Sequence, residues 1–332
     1  MQYDFLTIGG ATEDITVYTQ DGIIIENKKD LLRPRLFAFE YGAKMKVDNA
    51  YSTFGGGAAN AAVCLARFGF KVASLVAVGD DIRGRQILKN LKSRQVDCRS
   101  AQIYPGAPSG FSFLLVGPGG EHVVFSNRAA NQNLSIGVRE QGLIRRAKWV
   151  YLTSLSGNWQ AALAGIFSAP PAQIVWDPGH IQLHSGLKGI GKYLAKTTIL
   201  KINRDEALEL ILSQEKFRRT KPAELAKIKN LLKILKSFGP RIVVITSGQQ
   251  GADAFDGQNF FRQDVIKEKK RIDTTGVGDA FGSSLAAGLE YFHGDLDKAM
   301  YLGAKNTASV IGEQGAQNGL LDKTALARIV LK

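Results

Sequence analysis

The residues that are best suited to catalysis or ligand binding lie in one stretch, where two glycines and an aspartate precede a helical pattern. Gly276 and Gly278 come before Asp279, and apolar and small residues recur at helical spacing over residues 280–291. Glycines let the backbone turn tightly and direct several N–H groups at one point, where the helix dipole adds positive potential. The stretch therefore predicts an anion site. Asp279 at its mouth is either a base that takes a proton from a hydroxyl, while the site holds a phosphoryl group, or simply a helix cap.

A second set of polar residues follows two predicted strands farther towards the N-terminus. Asn203 and Glu206 come after the strand predicted at residues 198–202, and their three-residue spacing places them on one side of a helix's first turn. Together they could organise a hydrated Mg²⁺, although an acid in the first turn is also common for the dipole alone. Thr246 and Gly248 follow the strand predicted at residues 242–246, in a turn able to approach a nucleotide phosphate.

Two further candidates lie near the N-terminus. Asp14 follows a short apolar strand at residues 5–8, and polar groups past the end of such a strand lie in the ligand crevice of an α/β sheet. Asp14 is therefore a candidate acceptor of hydrogen bonds from sugar hydroxyls, or otherwise a turn residue. The triple glycine at residues 55–57 leads to Asn60, whose amide offers a donor and an acceptor to a hydroxyl pair. Tight helix packing would explain the same glycines.

The elements that must position these residues follow an α/β rhythm of strand, loop and helix from residue 72 onwards. Residues 15–53 differ, because short strands predicted at 15–18, 22–26, 36–41 and 45–48 have no helix between them. We expect them to form a small antiparallel sheet that serves as a lid or an oligomerisation surface. A hairpin predicted from residues 111–116 and 122–126, with its turn at 117–120, could add strands to it.

Composition places the chain among soluble globular proteins. Of its 332 residues, 45% are hydrophobic and 22% charged. No apolar run approaches the roughly 20 residues of a membrane span, and no export leader is evident at the start. Cys64 and Cys98 match no metal or redox spacing. We therefore expect a cytoplasmic protein without a membrane partner.

The formal net charge of +13 raises the alternative of nucleic-acid binding. Most of the clustered charge lies in residues 216–236, where lysines interleave with leucines and isoleucine at helical spacing. This pattern favours one surface helix with a solvated basic face. No helix-turn-helix, zinc-finger or aromatic RNA-binding signature accompanies it. Nucleic acid is therefore an unlikely partner, and the charge suits an enzyme with polyanionic ligands.

Taken together, these motifs resemble the ribokinase-like, or PfkB, carbohydrate kinase family over nearly the whole chain. The resemblance rests on the motifs at residues 55–60, 78–81, 203–206, 246–251 and 273–281, of which the last, Asp-Thr-Thr-Gly-Val-Gly-Asp-Ala-Phe, is the most specific. It implies a three-layer α/β/α fold in a single kinase domain over residues 1–332. A lid would be formed by about residues 15–53 with a contribution from about 108–127. The implied reaction moves the γ-phosphoryl group of ATP to a substrate hydroxyl.

The resemblance also implies a role for each matching residue. These are Asp279 as base; Gly276, Val277 and Gly278 as anion hole; Asn203 and Glu206 for Mg²⁺ and phosphates; Thr246, Gly248 and Asn306 near the nucleotide; Asp14, Gly56 and Asn60 for the acceptor; and Asp273 and Thr275 for a monovalent cation such as K⁺.

Several alternatives remain open for the substrate. The triple glycine lacks the lysine that ribokinase carries there, so ribose itself is not favoured, and Val277 stands where alanine is common. The leading hypothesis is a kinase of a sugar or sugar-like alcohol, and the alternative is a nucleoside kinase. A phosphosugar held by Arg83, Arg128 or a lid lysine is less favoured, and so is a non-catalytic sugar- or nucleotide-binding regulator. The lid could also mediate a homodimer.

Overall fold

The structure is a computed structural model that describes residues 2–27, 35–117, 122–169 and 173–330. Its strands are β1 (Tyr3–Ile8), β2 (Thr12–Tyr18), β3 (Ile23–Glu26), β4 (Arg35–Ala38), β5 (Asn49–Gly55), β6 (Val72–Leu75), β7 (Ala77–Gly79), β8 (Gln102–Tyr104), β9 (Phe111–Val116), β10 (His122–Asn127), β11 (Ala147–Leu152), β12 (Gln173–Trp176), β13 (Ile199–Asn203), β14 (Ile242–Thr246), β15 (Ala252–Phe255) and β16 (Phe260–Gln263). Its α-helices are α1 (Gly57–Arg67), α2 (Ile82–Ser93), α3 (Val138–Ile144), α4 (Trp159–Ser168), α5 (His180–His184), α6 (Gly186–Leu194), α7 (Arg204–Leu212), α8 (Glu215–Arg218), α9 (Pro222–Leu225), α10 (Ile228–Lys236), α11 (Val277–Tyr291), α12 (Leu296–Val310) and α13 (Lys323–Val330).

The main sheet has eight strands in the order β16-β15-β14-β13-β12-β11-β1-β6. The strands from β14 to β6 are parallel, whereas β15 and β16 extend the sheet by antiparallel pairing. Side chains alternate between two buried cores, so that Phe5 joins the core under α1, α11 and α12, and Leu6 joins the core under α4, α7 and α10. Helices cover both faces, which explains why the central strands are almost continuously apolar. The predicted three-layer α/β/α fold is confirmed.

A smaller four-stranded sheet has the order β10-β9-β2-β5, and we call it the small sheet. The prediction of a purely antiparallel sheet is wrong, because β2 pairs with β5 antiparallel but with β9 parallel. Strands β9 and β10 do form the predicted hairpin and do join this sheet. The predicted hairpin turn falls mainly on residues 118–120, outside the described residues.

Three other local predictions need correction. Residues 45–48 are not a strand, and β5 begins only at Asn49. The first four residues of β5 are all exposed, so the strand lacks the alternation of buried and exposed residues that would reveal it in the sequence. Strands β3 and β4 form their own two-stranded sheet. The single strand predicted at residues 72–78 is divided into β6, in the main sheet, and β7, which pairs with β8.

The lysine-rich segment at residues 216–236 forms three short helices, α8, α9 and α10, and not the single helix predicted. Pro222 is the first residue of α9, as expected for a residue without an N–H group that cannot continue a preceding helix. In α10, Leu231, Leu232 and Leu235 are buried, so the predicted amphipathic character is confirmed there.

Close packing of α11 against α12 fixes the helix that begins at the predicted anion site. A Cβ atom added to Gly288 would lie 2.6 Å from the Cα of Ala299, and one added to Gly303 would lie 2.9 Å from the ring of Phe281. Both helices are largely buried. A bilayer-spanning helix, which requires length and a continuous apolar surface, is absent from the described part of the chain.

Replacing Gly288 with Ala should therefore lower the free energy of unfolding, because the added methyl group pushes α11 and α12 apart. Overpacking of this kind costs about 1–3 kcal/mol. Gly191→Ala in α6 is the matched control, since its Cβ would meet only Leu187 at an ordinary 3.5 Å. Helix propensity predicts a gain of about 0.5–1 kcal/mol there. Urea unfolding of both variants measures the difference, and equal effects would contradict the close packing.

Candidate active site

Asp279 lies in the first turn of α11, and the structure shows that it is not the helix cap. The N-cap is Gly276, which has a φ of 73° in the left-handed region. A side chain there would also collide with Ala316, whose Cβ would lie 2.2 Å from the new atom. The Asp279 carboxylate instead accepts a hydrogen bond from Asn60 Nδ2 at 2.8 Å. The capping alternative is therefore wrong.

The surroundings of Asp279 raise its pKa from 3.8 to about 6. Burial is the largest cause, and the nearby carboxylate of Asp177 acts in the same direction. The hydrogen bond from Asn60 and the charge of Lys201 oppose this shift. A carboxylate with a pKa near 6 is mostly ionised at neutral pH and accepts a proton more readily than an ordinary aspartate. Asp279 is therefore suited to act as a general base.

A buried ion pair lies beneath the first turn of α11. Lys201, on β13, donates to Asp177, just after β12, at 2.7 Å. A Cβ atom on Gly278 would lie 3.2 Å from Lys201 Nζ, so the ammonium group reaches the N-terminal end of α11. Burial lowers the pKa of Lys201, but the Asp177 carboxylate outweighs it and the pKa lies above its ordinary value. Lys201 thus adds a permanent positive charge to the predicted anion site.

Sequence reasoning did not identify Lys201 or Asp177 as site residues, although each leaves a signal. Lys201 is a charged residue inside the otherwise apolar strand Ile199–Asn203, which is buried in a parallel sheet. Such a charge is retained when it has a partner. Asp177 directly follows a buried strand, the position at which ligand-binding groups of α/β sheets occur.

A line of three side-chain amides leads to Asp279. Asn90 Nδ2 donates to Gln317 Oε1 at 2.7 Å, and Gln317 Nε2 donates to Asn60 Oδ1 at 3.0 Å. Asn60 then donates to Asp279. Each amide accepts at its oxygen and donates from its nitrogen, so all the hydrogen bonds in the line donate towards Asp279. This network fixes the orientation of the Asn60 amide. Asn60 was predicted to bind the acceptor, and the structure adds this role in orienting Asp279.

Asn203 and Glu206 meet at the start of α7, as their spacing predicts. Asn203 Oδ1 accepts from the Glu206 N–H at 2.9 Å, and Glu206 Oε2 accepts from the Asn203 N–H at 2.8 Å. This reciprocal pair is a capping box, so both residues also stabilise the helix end. Burial, and then the charge of Asp177, raises the pKa of Glu206 above its ordinary value, although its hydrogen bond with Asn203 opposes this.

A cavity of about 360 Å³ lies between the turn after β14, the start of α11 and one face of α12. Of the predicted nucleotide residues, Asn203, Thr246 and Gly248 line it. Val277 and Gly278 from the predicted anion site also line it. Much of the remaining wall is apolar, with contributions from Val265, Ile266, Phe281, Ala304 and Ile311. The cavity therefore joins an apolar chamber to a helix N-terminus.

Asn306 does not belong to this cavity, contrary to its predicted position near the nucleotide. It is fully buried, donates to Ser284 Oγ at 2.7 Å and accepts from the Leu321 N–H at 2.8 Å. Ala304, Thr307 and Ile311 recur at helical spacing and form the cavity face of α12. Asn306 points away from that face and ties α12 to its neighbours.

Asp14 lies on β2 of the small sheet and not in a turn. Its carboxylate is buried, accepts from Thr12 Oγ1 at 2.9 Å and packs directly on Gly55, where any Cβ atom would collide with it. The charge of Asp14 contributes to the raised pKa of Asp279, which places the two carboxylates in one electrostatic environment. Gly56 has a φ of 90° and packs against the Gly10 carbonyl, so its described contacts are with backbone.

Asp273 fastens the loop before α11. Its Oδ1 accepts from the Thr275 N–H at 2.8 Å, and its Oδ2 accepts from the Gly315 N–H at 2.9 Å and from Gln314 Nε2 at 3.1 Å. These bonds show a structural role for Asp273. The monovalent-cation role of Asp273 and Thr275 stays a prediction.

Comparison with known proteins identifies the family of the chain. The sequence pattern of the family described as pfkB family carbohydrate kinase matches residues 29–323. The chain is similar to an ATP-dependent ribose-1-phosphate kinase of Halopiger xanaduensis, with 26% identity over 264 residues that cover 80% of this chain and 82% of that protein.

Solved structures show the same fold. A ribokinase of Arabidopsis thaliana complexed with ribose and ATP has a TM-score of 0.80 and 18% identity, and the match covers 99% of each chain. A nucleoside kinase of Burkholderia thailandensis in complex with inosine has a TM-score of 0.78 and 17% identity, covering 98% of this chain and 96% of the other. The fold is therefore of the ribokinase type. Because the family pattern extends over most of its length, this chain belongs to the pfkB family of carbohydrate kinases.

Proposed function

We propose that this kinase uses Asp279 as the general base that takes the proton from a hydroxyl of a sugar or sugar-like alcohol. The observation that carries the proposal is the position of Asp279, with a pKa of about 6, in the first turn of α11 and next to Gly278, which lines a cavity of about 360 Å³. The acceptor oxygen forms a bond to the γ-phosphorus of ATP, and the bond from that phosphorus to the bridging oxygen of ADP breaks. The released proton goes to Asp279.

The cavity suits ATP in one orientation. Its apolar chamber would take the adenine ring, while Thr246 and Gly248 would contact the phosphates. The N–H groups of Gly278 and its neighbours in the first turn of α11 would face the γ-phosphoryl group, where the helix dipole favours negative charge. Lys201 lies directly below and would stabilise the charge that develops in the transition state.

The residues present fit a Mg²⁺ ion. Asn203 and Glu206 lie together at the start of α7 and offer an amide oxygen and a carboxylate oxygen, the ligand type that Mg²⁺ prefers. We propose that Glu206 and Asn203 hold it, partly through water. When bound, the ion would neutralise phosphate charge during transfer. A K⁺ requirement, predicted for Asp273 and Thr275, stays a prediction.

Asp14 and Asn60 are the proposed acceptor ligands, with Gly56 providing close backbone approach. Asp14 lies on the small sheet, and Asp279 lies on the main body, so an acceptor between them would have one hydroxyl near each carboxylate. We propose that the small sheet acts as a lid that excludes water from the phosphoryl group. Water would otherwise compete with the acceptor.

A nucleoside is the alternative acceptor, and it is favoured by the similarity to the nucleoside kinase bound to inosine. A phosphosugar, the substrate class named for the Halopiger relative, would require a free cation near the acceptor. Arg83 is already committed, since its Nε donates to Glu13 at 2.6 Å and its guanidinium lies over the Phe111 ring. Arg128 and a lid lysine are the remaining candidates. A cytoplasmic location, where ATP is available, also stays a prediction.

The proposed reaction is tested by measuring ADP release with ATP, Mg²⁺ and a panel of free sugars, phosphosugars and nucleosides. We expect turnover with a free sugar or sugar alcohol, and Asp279→Asn should lower kcat by about 10²–10⁴-fold, the usual contribution of a general base. ATP binding, measured by calorimetry, should persist in the variant. Turnover of nucleosides alone would contradict a sugar substrate and support the nucleoside alternative. Unchanged turnover in the variant would show that Asp279 is not the general base.

Stability provides the folding control for the same variant. A carboxyl group whose folded-state pKa is about 6 and whose ordinary value is 3.8 favours folding below pH 3.8, and that contribution is lost as the pH rises through 6. The contribution of this pKa shift to the free energy of unfolding amounts to at most about 3 kcal/mol. Asp279→Asn should therefore be more stable than the wild type at pH 8 and should lose this advantage at pH 4. Thermal unfolding at the two pH values measures the effect.

Replacing Gln317 with Leu should shift the pH profile of kcat without changing the affinity for ATP. Leucine cannot donate to Asn60, so the bond from Asn60 to Asp279 weakens, and that bond holds the pKa of Asp279 down. The acid limb of the profile, expected near pH 6 in the wild type, should move to higher pH. Gln141→Leu in α3 is the control, since Gln141 donates only to the exposed Ser168. An unshifted limb in the Gln317 variant would show that the amide line does not tune the base.

We also propose a homodimer through the strands of the lid region. Ile23 on β3 is 64% exposed, and Val124 and Phe125 on β10 are 50% and 56% exposed. Adjacent exposed apolar residues along sheet edges favour pairing with another chain. Sedimentation velocity should show a species of about twice 36.0 kDa in the wild type, and Val124→Lys with Ile23→Lys should dissociate it. Val138→Lys, at a more exposed position on α3, should not, and a monomeric wild type would end the proposal.

A further inference from the structure

Three side chains with metal-ligating atoms converge outside the candidate active site, where α5 packs against α7. His180 and His184 are one turn apart on α5, and Glu209 projects from α7. His180 Nδ1 lies 3.5 Å from Glu209 Oε2, and His184 Nδ1 lies 3.3 Å from Glu209 Oε1. One ligand atom from each residue lies within 4.8 Å of the other two. The carboxylate is therefore held between two imidazole rings.

The chemistry of these donors selects a class of ion. Two imidazole nitrogens and one carboxylate oxygen are ligands of Zn²⁺ and related first-row ions, whereas Mg²⁺ prefers oxygen alone. Residues four apart on a helix project from the same face, so the histidines need no change of backbone to bind one ion. Tetrahedral Zn²⁺ bonds of about 2.0–2.2 Å place ligand atoms roughly 3.3 Å apart. The two His–Glu distances already lie near this value. Rotation of the exposed imidazole rings would bring all three ligand atoms, which now lie within 4.8 Å of one another, to the same separation.

We propose that His180, His184 and Glu209 form a surface site for a divalent transition-metal ion of the Zn²⁺ class, with water completing its coordination. The site differs from the proposed Mg²⁺ site, which has only oxygen donors. It would join α5, which follows Asp177, to α7, which begins beside Asn203 and Glu206. A bound ion would therefore restrain two elements that carry groups of the candidate active site.

Zn²⁺ binding to the full chain, purified without a histidine tag, tests the site. Calorimetry in excess Mg²⁺ should show one equivalent of bound Zn²⁺, and Zn²⁺ should raise the Tm. His184→Ala and Glu209→Gln should each weaken binding at least ~10-fold, as loss of a metal-site contact does. Co²⁺ in place of Zn²⁺ should give a visible absorption band in the wild type that both variants lose.

His293→Asn is the matched control, because it removes another of the four histidines and asparagine tolerates the φ of 54° at that position. It should bind Zn²⁺ as the wild type does. The Tm of His184→Ala in EDTA should equal that of the wild type, since the His184 side chain is mostly exposed. Absence of binding at about 100-fold excess Zn²⁺, or equal binding by His184→Ala, would overturn the proposal.

Discussion

The candidate site depends on the ion pair between Lys201 and Asp177. The C-terminal ends of adjacent parallel strands bring several carboxylates to one edge of the sheet, and Asp177 raises the pKa of both Glu206 and Asp279. Lys201 is the buried counter-charge in this group. Removing one partner of such a buried pair costs about 3–5 kcal/mol, because the other charge is left uncompensated. Lys201 therefore makes it possible for a base, a proposed metal ligand and a helix N-terminus to occupy the same edge.

Much of this arrangement could be predicted from the sequence because it is local. The Gly276–Asp279 turn, the pairing of Asn203 with Glu206 and the α/β rhythm each depend on spacing within a few residues. The strand pairing of the small sheet was harder, since β2 pairs with β9 across about a hundred residues and the pattern of neither strand specifies its partner. The orientation of Asn306 depends on tertiary packing, because the face of α12 that it occupies is set by packing against α11.

The part that Gln317 and Asn90 play in orienting Asp279 could not be predicted from local sequence patterns. Gln317 is 257 residues from Asn60 and 227 from Asn90 along the chain. A lone glutamine in a polar turn gives no signal, because its importance arises only when tertiary structure buries it. The same holds for the HisxxxHis spacing at residues 180–184, which becomes a candidate metal site only when α7 brings Glu209 between the rings.

The segment after α12, residues 314–317, connects the proposed base, the predicted anion site and the small sheet. Gln314 accepts from Tyr18 of β2 and donates to Asp273, while Gln317 supports Asn60. Between them, Ala316 packs against Gly276 at the turn into α11. A movement of the small sheet would therefore be transmitted through Gln314 to the loop before α11. Gln317, which supports Asn60 and through it Asp279, lies in the same short segment as Gln314. Closure of the proposed lid would therefore be coupled to the alignment of Asp279, because both would depend on these four residues.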